Sequence, residues 1–400
     1  MTDPLGQSQV IPYLSGLSGK GHEIDLISFE KKKQFLSGEA AVRGILKKNN
    51  IQWYPLAYTK SPPILSTVWD IVRMIFKARA LQHKNKFKIV HCRSYIPAFA
   101  GLFLKKKYGV KFIFDIRGFW IEERIDGKIW NLRNPFYNWV YRFFKKKEKE
   151  FFGMADYIVS LTQKAKDEIL SWKNTSPKPL NIEVIPTCTD LNLFSRNYIS
   201  EDLRMGFKQK LGITEDTFIL TYLGTIGTWY MLDEMLGFFK LLSSEKPNAK
   251  FLFITHEREQ AIRMKSQLHN IPDENILVQK SERHELPSLL SFSDFSIAFI
   301  KPVYSKMASS PTKFGELLSM GIPFICNRGI GDMDDIVSKY HCGILTDGFT
   351  DDAYSNVIKQ MGKFRASDTD RFRKAAEEYF SLAGGIEKYD SVYQKLLTVN

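Results

Sequence analysis

Lys313 and Glu316 stand three residues apart in Ser309-Ser310-Pro311-Thr312-Lys313-Phe314-Gly315-Glu316-Leu317, which continues to Pro323. If a helix starts at Thr312, both side chains share one face of its first turn. A helix start offers free backbone donors and the positive end of a dipole, which suit a phosphate. A carboxylate fixed beside it suits the paired hydroxyls of a ribose. The combination describes a site for a nucleoside diphosphate. The same two residues would also serve as an ordinary i, i+3 ion pair on a capped surface helix.

A second pair lies in Phe114-Asp115-Ile116-Arg117-Gly118-Phe119-Trp120, where strand alternation puts Asp115 and Arg117 on one side. As functional groups, Asp115 is an acceptor base and Arg117 a bidentate phosphate binder. As structural groups, they brace the loop between them. Arg93 is a similar candidate, in His91-Cys92-Arg93-Ser94. His91 follows directly on an apolar run and reads as a hydrogen-bonded core histidine. His22 and His284 read the same way, and none of the three enters the catalytic set. Cys92, Cys188, Cys326 and Cys342 are scattered without a CxxC pair, so neither a disulfide framework nor a zinc site is indicated.

These residues need elements to hold them. Short β-branched and aromatic runs at Ile24–Phe29, Ile89–Cys92, Phe112–Ile116, Tyr157–Leu161 and Ile182–Ile185 alternate with longer amphipathic segments. The pattern restarts with Phe218–Leu223, Lys250–Thr255, Ile276–Gln279, Phe295–Phe299, Pro323–Asn327 and Gly343–Leu345. It predicts an α/β fold of two doubly wound parallel sheets, in a chain whose length suits two domains of about 190 residues. The expected division is residues 1–188, residues 189–378, and a C-terminal helix over 379–400 that packs back toward the first domain. Ligands of such sheets sit beyond the carboxyl ends of the strands. The loops there include Gly224-Thr225-Ile226-Gly227-Thr228-Trp229-Tyr230 and Arg283-His284-Glu285.

No run reaches about 18 uncharged apolar residues, and Met1-Thr2-Asp3-Pro4 lacks a signal-peptide opening, so the expected location is the cytosol. The net charge of +13 is uneven: residues 1–190 hold 32 Lys/Arg against 17 Asp/Glu, and residues 191–400 hold 25 against 27. A basic first half attracts anionic lipid, nucleic acid or phosphorylated substrates. Two of its segments mix aromatics with cations: Leu65–Lys88, with Trp69 and Phe76 beside Arg73 and Lys77, and Phe136–Phe152, with Trp139 and Phe143 ahead of Lys145. They suit interfacial helices at an anionic membrane; they equally suit core helices with solvated lysines.

The chain resembles the family-4 glycosyltransferases over nearly its whole length. The likeness rests on Thr2-Asp3-Pro4-Leu5-Gly6-Gln7-Ser8-Gln9-Val10 with Gly21-His22-Glu23-Ile24, on Phe114–Trp120 and on Ser309–Pro323. Together these point to a bacterial branch that builds surface polysaccharide, such as capsule or O-antigen. The resemblance implies the GT-B fold, two Rossmann-like domains facing across a cleft, and a retaining, metal-independent transfer with no cofactor beyond the sugar nucleotide. It places Glu316 on the donor ribose and the helix start at Lys313, with Ser310 and Thr312, on the diphosphate. Gly6 and Gln7 would bring backbone donors close, Gly224 and Thr225 would line the donor loop, and Trp120 with Arg93 would meet the acceptor. Asp115 and Arg117 would orient acceptor and sugar.

Three features depart from the family. Ala308 stands where many relatives have a second glutamate, eight residues before Glu316. Gly224–Thr228 has neither the Arg nor the Lys that often holds the diphosphate, a charge that Lys313, Lys306 or Arg283 takes over. Arg117 replaces a histidine beside the donor sugar.

Relatives also carry an apolar first strand upstream of the segment like Thr2–Val10, in the middle of the sheet. Five or six buried residues there amount to roughly 10 kcal/mol, comparable to a domain's whole stability of about 5–15 kcal/mol. The first N-terminal strand is therefore expected to be absent and the chain a shortened form. The leading expectation is a membrane-peripheral enzyme moving a hexosyl unit from a nucleoside-diphosphate sugar to a glycan or polyprenyl-linked acceptor, with no nucleic-acid partner. The alternatives are a sugar-nucleotide epimerase and a non-catalytic binder on a decayed transferase scaffold.

Overall fold

The computed structural model describes residues 1–173, 176 and 178–398. The chain divides into two compact units, Met1–Cys188 with Leu382–Asn400, and Thr189–Ser381.

The second unit holds β7 (Phe218–Leu223), β8 (Ala249–Ile254), β9 (Ile276–Gln279), β10 (Phe295–Ala298), β11 (Phe324–Asn327) and β12 (Gly343–Thr346). They form one parallel sheet in the order β12-β11-β10-β7-β8-β9. Helices cover both faces of such a sheet, so its strands read as unbroken apolar runs. Phe251 and Phe253 of β8 and Tyr222 of β7 are fully buried. Strand order reverses between β7 and β10, and a crevice opens beyond the carboxyl ends of strands at such a point.

In the first unit, β1 (Ile24–Glu30) pairs, among the described residues, only with β2 (Ile51–Ala57). Separately, β3 (Ile89–Arg93), β4 (Lys111–Asp115), β5 (Tyr157–Ser160) and β6 (Ile182–Val184) make a four-stranded parallel sheet. The sequence pattern did not reveal β2, because Pro55 interrupts Ile51–Ala57. Proline is tolerated there because β2 is an edge strand.

The second unit shows what separates the two sheets. Its order β9-β8-β7-β10-β11-β12 becomes β2-β1-gap-β3-β4-β5 here, with the counterpart of β7 missing. Among the described residues, no strand pairs with the free edge of β1 or of β3. Both pieces nevertheless pack on one apolar cluster, with Ile27 and Phe29 of β1 and Val90 of β3 against Met74, Ala100 and Leu104.

The segment ahead of β1 folds differently from expectation. Pro4–Gln9 is a helix capped by Asp3, whose carboxylate accepts from Gly6 N at 2.8 Å, and Gln7 N donates to Asp3 O at 3.2 Å. Gly6 and Gln7 were expected to turn their amides toward a ligand; both are instead used inside this helical turn. A glycine is required at position 6 for another reason: a Cβ there would come within 2.6 Å of Met1 Cα. At the other end of the chain, the helix Leu382–Thr398 packs on the helix Ile11–Gly19 and carries Tyr389 and Tyr393 into the first unit.

Candidate functional site

The site of the second unit is built at the reversal between β7 and β10. At the end of β7 the chain turns through Gly224, whose φ of +122° suits glycine. The following loop is laced to the segment after β10 by Met231 N to Phe299 O (3.0 Å) and Lys301 N to Trp229 O (2.9 Å). Tyr222 donates to Thr225 O at 2.6 Å, which pins the loop's first turn.

The helix Thr312–Ser319 forms as expected, after the extended Pro311. Its apolar side buries Phe314, Leu317 and Leu318 completely. Gly315 lets it approach Phe380, since a Cβ there would lie 2.7 Å from Phe380 Cβ. Lys313 and Glu316 are only 7% and 6% exposed, yet they do not pair with each other. Glu316 Oε1 accepts from Arg283 Nη1 at 2.9 Å, and that guanidinium lies over the Phe194 ring.

Lys313 turns its ammonium between two tyrosine rings, 4.4 Å from the centre of Tyr222 and 3.8 Å from that of Tyr230. Its Nζ has no hydrogen-bond partner. It lies 3.1 Å from where a Cβ on Gly224 would be, so the ammonium faces the bare backbone of that turn. Burial lowers its pKa from the ordinary lysine value to about 7, and the carboxylate of Glu316 opposes the shift. Burial also pushes Tyr230 up to about 12, so the ring stays neutral and offers its π-face. Beside this cage, the buried Lys306 places its ammonium 3.8 Å from the Trp229 ring. Ser310 and Thr312 are half-buried at the helix start, and Ala308 is buried with no carboxylate to offer.

Gly224, Thr225, Lys313, Glu316 and Arg283 are thus all in the second unit, at the carboxyl ends of its strands. The sequence reading missed the roles of Tyr222, Tyr230 and Trp229. The available signal was the run Thr228-Trp229-Tyr230 in a loop without cations, where rings stand in place of charges.

Asp115, Arg117, Arg93 and Trp120 belong to the first unit. Asp115 ends β4 at 2% exposure, accepts from Tyr389 Oη at 2.9 Å, and has His91 Nε2 at 3.4 Å. His91 Nδ1 is 2.8 Å from Tyr393 Oη. Burial alone would raise the Asp115 pKa; Arg117, His91 and Arg93 outweigh it and hold the carboxyl below its usual value. An enclosed, weakly basic carboxylate is a poor proton acceptor for a bound alcohol, so the geometry favours bracing over the expected base role. Arg117 sits at φ +53° with its Nε buried, unpartnered and 4.0 Å from Asp115 Oδ1. Arg93 donates to Gln9 O at 3.0 Å, and burial together with Arg117 lowers its pKa to about 10. Trp120, expected at the acceptor, packs among Tyr95, Trp130 and Phe144.

Two family descriptions match the chain in tandem: Glycosyltransferase Family 4 over residues 9–193, and Glycosyl transferases group 1 over residues 205–379. The chain belongs to the family-4 glycosyltransferases. No curated protein matches this glycosyltransferase. Solved structures do. Sucrose-phosphate synthase from Thermosynechococcus elongatus is 14% identical, with 97% of this chain and 92% of that one covered and a TM-score of 0.72. A glycosyltransferase from Rickettsia africae is 16% identical, covering 98% and 94% at 0.70. The Anabaena protein HepE, solved with UDP-glucose, is 12% identical, covering 98% of each chain at 0.68. At such identities the likeness is one of fold, and the transferase has the GT-B fold.

Proposed function

We propose that this glycosyltransferase moves a hexosyl unit from a nucleoside-diphosphate sugar to a glycan or polyprenyl-linked acceptor, with retention, in surface-polysaccharide synthesis. The observation that carries the donor half is Lys313: a buried ammonium without an acceptor, facing the Gly224 turn at a helix start, three residues from a buried carboxylate. Glu316 takes the ribose hydroxyls. Lys313, the helix start, Ser310 and Thr312 take the diphosphate, so that no metal is required. Arg283 holds Glu316 in place until the ribose arrives. As the bond from the sugar's C1 to the phosphate oxygen breaks, its electron pair passes to the diphosphate, where Lys313 stabilises the growing charge. The acceptor oxygen bonds C1, and its proton passes to the departing diphosphate. Solved relatives described with UDP-glucose or UDP-2-fluoro glucose support the donor class.

In the same proposal the acceptor half lies in the first unit, where Arg117, paired with Asp115, and Arg93, held by Gln9 O, offer buried cations. A polyprenyl-linked acceptor would place the enzyme at the cytoplasmic face of the plasma membrane.

The test is thermal stabilisation by UDP, GDP, CMP and ADP, on this chain and on Glu316→Ala. A shift with one nucleotide that vanishes in the variant supports the donor site. A cooperative melt that none of the four shifts overturns it. Incubating the chosen sugar nucleotide without acceptor then separates transfer from epimerisation, because only an epimerase converts the donor alone.

A further inference from the structure

At the carboxyl ends of β3 and β4 the first unit encloses one positive charge more than it neutralises. Arg93 ends β3, Asp115 ends β4, and the two are register partners across the parallel pair. Arg117 follows two residues on, its side chain 10% exposed and its Nε 4.0 Å from Asp115 Oδ1. Among the described residues, Arg93 donates only to Gln9 O, and the Arg117 guanidinium donates no hydrogen bond at all. The two guanidinium groups lie in each other's field, since Arg117 adds to burial in lowering the Arg93 pKa, and both face Asp115, Tyr389 and Tyr13. Burial keeps the hydroxyls of Tyr13 and Tyr389 and the thiol of Cys188 neutral. His91, 3.4 Å from Asp115 Oδ2, adds to the positive side when protonated and never to the negative. The fixed charges are therefore two cations against one carboxylate. A buried charge without a counter-charge is costly, and so is the positive φ of +53° at Arg117; such strain persists where function requires it.

We infer that Arg117 and Arg93 receive the carboxylate of a hexuronic acid, so that an acidic sugar takes part in the proposed transfer. This deepens the acceptor half of that reading and rests on it for the kind of molecule bound. A guanidinium fork holds a carboxylate by two parallel hydrogen bonds. It holds a phosphate as well, and charge decides between them. One carboxylate cancels the surplus, whereas a phosphate monoester carries about −1.5 to −2 at pH 7 and would leave a buried negative charge. The phosphate expected from sequence thus overshoots, and a neutral hydroxyl leaves the surplus in place. Arg93 and Arg117 are only half-buried as residues, so a ligand reaches them from solvent. The carboxylate belongs to the transferred sugar or to the acceptor sugar; the chemistry of the pocket is the same for both.

The experiment is thermal stabilisation of the full chain, at constant ionic strength, by D-glucuronate, D-galacturonate, D-glucose and glucose 6-phosphate. It is repeated for Arg117→Gln and for Arg117→Lys, which keeps the charge and loses the fork. A uronate should raise the melting temperature, glucose should not, and glucose 6-phosphate should act more weakly than the uronate. Affinity for the uronate should fall at least about tenfold in Arg117→Gln and by less in Arg117→Lys. Without sugar, Arg117→Gln should melt no lower than the parent, because it removes the unneutralised charge. UDP-glucuronate against UDP-glucose then separates the sources: a preference for the acid that Arg117→Gln abolishes puts the carboxylate on the donor, and equal binding puts it on the acceptor. Five outcomes overturn the inference: no response to a uronate, an equal response to glucose, a stronger one to glucose 6-phosphate, unchanged uronate binding by Arg117→Gln, or a melt of that variant well below the parent. If no nucleotide binds but a uronate does, the donor reading fails and this site stands; the converse result leaves the donor site and removes this one.

Discussion

The ammonium of Lys313 lies 3.8 Å from the ring centre of Tyr230 and has no hydrogen-bond acceptor. A cation stored against rings, with its pKa lowered to about 7, is available to an arriving anion. A diphosphate bound as proposed would supply the missing acceptors and raise that pKa, so above pH 7 binding would take up a proton. Affinity should therefore fall as pH rises above about 7. Calorimetry at pH 8 in buffers of different ionisation enthalpy should show uptake of up to about one proton, absent in Lys313→Met. Without ligand the sign reverses: the unfolded chain keeps this proton to about 10.5 and the folded one releases it near 7, so this residue's contribution to stability rises across that interval.

Glu316 accepts from Arg283, a residue 38% exposed on its side chain. Removing the arginine should cost folding about 1–3 kcal/mol, because it leaves the buried carboxylate without its partner. Removing the carboxylate should weaken nucleoside-diphosphate binding by roughly 1.5–3 kcal/mol, the range for hydrogen bonds to a charged group. Affinities and melts of Arg283→Ala and Glu316→Gln check both numbers.

Asp115 is the common partner of Tyr389, His91 and Arg117. Tyr389→Phe should cost about 1–2 kcal/mol by leaving one carboxylate oxygen less satisfied. Asp115→Asn should cost more, up to roughly 3–5 kcal/mol, because it strands the buried Arg117 guanidinium. Urea titration measures both. Its carboxyl is held below the usual range, so the contribution is complete above about pH 4 and is lost as pH falls through the depressed value. An Asp115→Asn variant with unchanged stability and abolished turnover would instead restore the base role.

The free edges of β1 and β3 are complementary to a parallel apolar strand. Fusing an alternating Val/Ile segment ahead of Met1 should raise the melting temperature by several degrees, as about 1–3 kcal/mol would do in a chain of this size. The fusion takes the Met1 ammonium away from Glu30, which keeps Thr2 and Ser28 as partners. A polar segment of equal length should give no gain.

The sequence by itself determined most of the strands and the helix at Thr312–Ser319, though not β2. The strands at Phe218–Leu223 and Ile276–Gln279 have the expected ends, because a parallel strand buried on both faces must be apolar throughout. The helix at Thr312–Ser319 likewise follows from local residue order. Tertiary structure decided what those residues do. Spacing alone left open whether Lys313 and Glu316 pair with each other or each face a ligand. Folding brings Arg283 from 33 residues away to the carboxylate and sets two tyrosine rings around the ammonium, contacts that no local spacing contains. Folding likewise closes Asp115 against Tyr389, a partner 274 residues distant. Exposure has the same origin: the residues from Leu65 to Phe76 read equally well as a core face or a surface face, and only packing on the opposite side of that helix assigned its aromatic stripe to solvent.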